Sequence, residues 1–182
     1  MKAYVFIARI AQGKAITESS LRELRPVPEY QLISTWYRSA LAEAIANQGN
    51  TIAASTFLDQ AFELMERNDE RFVEPEIHRI RGELILKQVS DGSARPTAVR
   101  TAQTDAERTF RKAVAIASDS DARMLGLRAT VSLSRLLKTV GRSREALDAL
   151  SSCYRWFSEG FDTPDLKAAR ALLEELEPGS SA

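Results

Sequence analysis

The stretch that decides the fold is Leu41–Phe62, "LAEAIANQGNTIAASTFLDQAF". Leu41, Ala42, Ile45, Gly49, Ala54, Leu58, Ala61 and Phe62 run large, small, large, turn, small, large, small, large. That order suits two helices folded back on each other. Small residues let the helix axes approach, and large ones fill the groove between them. Gly49 ends the first helix, and Asn50 or Thr51 can cap the second.

The same order returns in Leu133–Tyr154, "LSRLLKTVGRSREALDALSSCY", with Leu133, Ser134, Leu137, Gly141, Ala146, Leu150, Cys153 and Tyr154 at matching offsets. A third unit is split. Gly82 and Ile85 hold first-helix places, and Ala106, Phe110, Ala113 and Val114 hold second-helix places. The small-to-small spacing is 12 from Ala42 to Ala54 and 12 from Ser134 to Ala146, but 24 from Gly82 to Ala106. The extra twelve positions fall on 89–104, rich in Ser, Thr, Gly and Pro, which reads as an inserted loop. Between units, Ala61 to Gly82 and Ala113 to Ser134 are both 21 apart. A 34-residue tetratricopeptide repeat would give about 15, so the period is longer, near 40.

These observations predict an all-α fold: a tetratricopeptide-like solenoid of antiparallel helical hairpins with a C-terminal capping helix. One domain is expected over 1–176. Its hairpins lie at about 2–25, 31–67, 73–118 (helices 73–88 and 103–118) and 121–158, the capping helix at 164–176, and a disordered tail at 177–182. In the last of these, Pro164 suits a first turn, and Leu166, Ala169, Leu172, Leu173 and Leu176 form one apolar stripe. Gly160 and Phe161 are expected to close the hairpin before it, with Asp162 or Thr163 as cap.

Composition bounds the function. The 182 residues are 44% hydrophobic and 27% charged, a globular profile. The 25 basic residues balance the 25 acidic ones, which argues against a dedicated nucleic-acid binder. A lone cysteine, Cys153, allows no internal disulfide and fits a reducing compartment. The opening "MKAYVFIARIAQGK" loses its signal-peptide character at Arg9, and no stretch reaches a membrane span, so a cytoplasmic protein without membrane contact is expected.

Chemistry is sparsely supplied. There is one histidine, His78, and no Walker loop, GxGxxG, GxSxG or HExxH. No cofactor, metal or catalytic residue is therefore expected. His78 reads as a packed structural residue and Cys153 as a small hydrophobe within a hairpin. Trp36 and Tyr37, adjacent on one helix, point apart, one to the core and one to a surface.

The strings "EPEIHRIRGELIL", "DAERTFRKAVAIA", "SLSRLLKTVGRSREALDAL" and "WFSEGFDTPDLKAARALLEEL" resemble, over about 30–176, the C-terminal tetratricopeptide-like region of bacterial signalling regulators. In that family the region follows an adenylate/guanylate cyclase or DNA-binding domain and a STAND-type ATPase module. The resemblance implies a non-catalytic part, since the family's catalytic motifs are missing from this chain.

Repeat geometry nominates a binding surface. In tetratricopeptide arrays the first helices line the concave groove through their second, fifth, ninth, twelfth and thirteenth positions. Here those offsets select Trp36 and Asn47 from one helix, Arg79, Glu83 and Lys87 from the next, and Arg128, Arg135 and Lys138 from the third. Ser39 and Glu43 stand where a carboxylate clamp wants Lys and Asn. The expected role is an interaction module holding a protein or peptide partner, or another domain of its parent. A sensor for a small anionic ligand in the basic groove is the alternative, and solvated faces paired with Glu76 and Glu83 are the plainest reading. The open end of the first hairpin admits a homodimer.

Overall fold

The computed structural model describes residues 34–177 apart from Asp91 and Ser93. The hairpin expected at 2–25, the start of the helix expected from 31, and the tail from 178 lie outside the described residues. Among those described there are seven α-helices, one 3-10 turn and no strand. The chain divides into two compact units between Val73 and Glu74.

The first unit contains α1 (Ser34–Asn47), α2 (Thr51–Asn68) and the 3-10 turn Arg71–Val73. The two helices pack on each other as a hairpin. Gly49 turns the chain at φ +87°, and the Asn50 side chain accepts the Ala53 N–H at 3.0 Å, capping α2. Ala42, Ala54 and Ala61 are fully buried, with Leu41, Ile45 and Leu58 around them. The small positions of the repeat therefore sit where the helices touch. Asp69 ends α2 in the left-handed region at φ +54°.

The second unit contains α3 (Glu74–Lys87), α4 (Pro96–Asp119), α5 (Arg123–Thr139), α6 (Ser143–Tyr154) and α7 (Pro164–Leu176). Each helix packs on the next, and α5 also packs on α3 and on α7. Alternate helices in contact is the pattern of stacked hairpins. The core is built from Ala106 and Phe110 of α4, Leu127, Leu133 and Leu137 of α5, Ala146 and Leu150 of α6, and Leu166, Ala169 and Leu176 of α7. At the closest approach, a Cβ placed on Gly82 would overlap the fully buried ring of Phe110. Glycine is needed there for space.

Two boundaries differ from expectation. The loop predicted at 89–104 is helical from Pro96 onward, so α4 spans 24 residues. Pro96 takes the first turn, where its missing N–H costs nothing, and Val99, Ala102 and Ala106 carry the apolar spacing back from Phe110. Pro and Thr, read as loop composition, open a helix instead. At the other end α6 stops at Tyr154, four residues before the predicted 158. Gly160, at φ +75°, lies in the connection that follows. Phe161 meets the Tyr154 ring at 5.8 Å between centroids yet stays 45% exposed. Thr163 precedes α7 but its hydroxyl donates to the Gly160 carbonyl at 2.7 Å rather than capping the helix.

Candidate functional site

The first helices of the second unit, α3 and α5, share a face with α7, and polar side chains cross it in three layers. In the first turns, Arg79 donates through Nε and Nη2 to the two carboxylate oxygens of Glu76, both at 2.9 Å. Both residues are buried, with 9% and 5% exposed. Arg128 of α5 reaches Glu76 Oε1 at 3.4 Å through Nη1. Its Nε and Nη2 donate to Asp165 Oδ2 of α7 at 2.9 and 2.8 Å. Burial pulls the Arg128 guanidinium down, but Asp165 and Glu76 together outweigh it and hold it above its usual value. Two cations and two anions alternate here, so the layer is neutral.

One turn further along, the buried Ser132 hydroxyl donates to Glu83 Oε1 at 2.6 Å, joining α5 to α3. In the third layer Lys138 Nζ donates to Glu175 Oε2 of α7 at 2.7 Å. Lys138, with Arg135 behind it, holds the Glu175 carboxyl below its usual range. Arg135 is exposed and, among the described residues, makes no hydrogen bond or ion pair through its guanidinium. Beside it an open cleft of about 560 Å³ separates α5 from α7. Arg135, Lys138 and Thr139 line one side, and Ala168, Ala171, Leu172 and Glu175 the other.

The residues nominated from repeat offsets thus have different surroundings. Arg79, Glu83 and Arg128 are engaged with side chains of the unit itself. Arg135 and Lys138 come together at the cleft. Lys87 is half-buried at the end of α3. Trp36 and Asn47 belong to the first unit, where Trp36 is 39% exposed and Asn47 is exposed. Tyr37 is half-buried, and burial pushes its phenol above the usual value.

The offsets missed the contribution of α7. Asp165, Ala168, Leu172 and Glu175 recur every three or four residues and so share one side of that helix. That spacing is present in the sequence, where the apolar stripe of the same helix masks it. Another unforeseen group ties α4 to α6. Arg111 Nη2 bonds Glu107 at 2.8 Å and Glu145 at 2.5 Å, while Arg142 bonds Glu107 at 2.7 Å and Glu145 at 2.6 Å. Burial acts to raise the Glu107 carboxyl, yet the two arginines together hold it below its usual range. The same arginines lower Glu145 directly.

His78 is 7% exposed, with Nε2 3.7 Å from Glu74 Oε1. Burial, then Lys112 and Arg81, lower it from 6.5 to about 4 against the opposing pull of Glu74, so the ring is neutral near pH 7. Cys153 is a free, partly buried thiol that burial pushes up, with Thr130 acting the other way. Among the described residues no cluster of His, Cys, Asp and Glu could hold a metal ion. No helix among them is long and apolar enough to cross a membrane. No protein-family model matches the chain, and no curated protein matches it either.

Proposed function

We propose that the chain is a non-catalytic, tetratricopeptide-like interaction module of a bacterial signalling protein, engaging a protein or peptide partner on the α3/α5/α7 face. The observation that carries this reading is the third layer of that face. Arg135 is left exposed beside an open cleft, while the cations of the first layer are neutralised by neighbouring carboxylates. Shape and charge complementarity would do the work, with no bond made or broken. Within the cytoplasm the partner would be a separate protein or another domain of the parent.

The second reading, a sensor for a small anionic ligand, has an observation of its own. A cleft of about 560 Å³ lies within the usual range for small-molecule sites. The two readings separate in one experiment: affinity capture from the native host with the full chain and with its Arg135→Glu/Ala171→Arg variant. The interaction reading expects specific proteins that the variant loses and that an Arg108→Glu control, altered on α4, retains. Equal capture by all three chains would sink it.

A further inference from the structure

We propose that the α5–α7 cleft is a subsite for a single carboxylate carried on a short apolar body, with Arg135 as its pairing group. The proposal deepens the interaction reading and rests on it for the biological occupant. The charge count sets the ligand class. Arg135 and Lys138 supply two positive charges and Glu175 one negative, leaving a single unit of positive charge. A monocarboxylate brings the cleft to neutrality. A phosphate dianion would instead leave an excess negative charge beside the Glu175 carboxylate.

Donor geometry agrees with this. Thr139 commits its hydroxyl proton to the Arg135 carbonyl at 2.9 Å, so the cations are the donors facing the cleft. Lys138 uses one contact on Glu175, and an ammonium has three donors, so it can share an incoming carboxylate without leaving its partner. The guanidinium fork of Arg135 matches a carboxylate in two-point fashion. The opposite wall, apart from Glu175, is hydrocarbon: Ala168, Ala171 and the buried Leu172. A bare inorganic ion would leave that wall unused, whereas a glutamate side chain or a short-chain acid would cover it.

The test is a titration of the full chain, isotope-labelled at Ala, Val and Leu methyls, with butyrate, butyramide and inorganic phosphate. Butyrate is expected to shift the Ala168, Ala171 and Leu172 methyls saturably. Butyramide should bind about tenfold more weakly or worse, the factor that losing a charge-assisted hydrogen bond carries. Arg135→Gln should weaken butyrate by a similar factor, and Arg135→Lys should restore part of it. Glu175→Gln should tighten butyrate several-fold, because it releases Lys138 and removes the competing charge.

The source is read from acetyl-Ala-Ala-Glu-Ala-Ala-amide. Tighter binding than butyrate, with shifts extending to Val131 and Leu86, assigns the carboxylate to a partner chain. Equal or weaker binding assigns it to a free acid. Absent shifts at the methyls of these three residues, equal binding of butyramide, tighter binding of phosphate, or Glu175→Gln that leaves butyrate unchanged or weaker would each overturn the subsite. A host partner still lost by the Arg135→Glu/Ala171→Arg chain would then keep the interaction reading alive. Butyrate binding to a chain that captures no partner would leave the subsite standing without it.

Discussion

Replacing Gly82 by alanine puts one methyl group where the Phe110 ring already is. An alanine Cβ would meet Cδ1, Cε1 and Cζ of that ring, and Phe110 is fully buried. Forcing an extra carbon into a close-packed interior costs typically about 1–3 kcal/mol, and a contact with three ring atoms argues for the upper end. Against this, alanine is favoured over glycine in a helix interior by about 1 kcal/mol. The net expectation is a loss of about 2 kcal/mol, or roughly 8–10 °C in the Tm of the second unit. Urea unfolding followed by Trp156 fluorescence in a Trp36→Phe background measures it, since Trp156 then reports that unit alone. Gly126→Ala is the control: its Cβ would meet the Ala117 Cβ at 3.4 Å, an ordinary contact, so the helix gain should show as stabilisation. In a Phe110→Leu background Gly82→Ala should cost almost nothing, giving a coupling of about 1.5 kcal/mol or more. Gly82→Ala that stabilises as Gly126→Ala does would refute the close approach of α3 and α4.

Glu76→Gln should cost of the order of 3 kcal/mol in urea unfolding, because it strips the carboxylate charge from the buried Arg79 guanidinium. An effect below 0.5 kcal/mol (~RT) would show the pair to be dispensable. His78 has a folded-state pKa near 4 against 6.5 unfolded, so the unfolded chain takes up the proton first as pH falls. Stability should decline between about pH 6.5 and 4, and His78→Gln should remove that part of the decline. Glu107→Gln weakens the Arg111 pair within α4 and the Arg142 pair that crosses to it, so its Tm should fall at low salt. The difference from wild type should shrink at 1 M salt, where the Debye length is about 3 Å.

The helical hairpins were legible because their signal is local. Ala42, Ala54 and Ala61, or Ala146 and Leu150, announce close packing by size alone, and each is buried as the repeat order requires. The extent of α4 was not legible, since Pro96 and Thr97 favour a loop or a first turn equally until Val99 and Ala102 find something to pack on. The charge arrangement was harder still. Repeat offsets identify Arg79, Arg128 and Lys138 as residues of first helices. They do not reveal that Glu76, Asp165 and Glu175 reach across to meet them. Those partners lie on the same helix in one case and 37 residues away in the other two, and the distant ones depend on how the hairpins stack. Arg135 stands out only once its neighbours have been paired off.

A hydroxyl-radical footprint of the full chain, with and without a partner captured from the native host, locates the binding face. Protection is expected at Leu86 of α3, Arg135 and Lys138 of α5 and the exposed Glu175 of α7, with Arg108 of α4 and Arg144 of α6 unchanged. Protection confined to α4 and α6, with Arg135 and Lys138 as reactive as in the free chain, would contradict it.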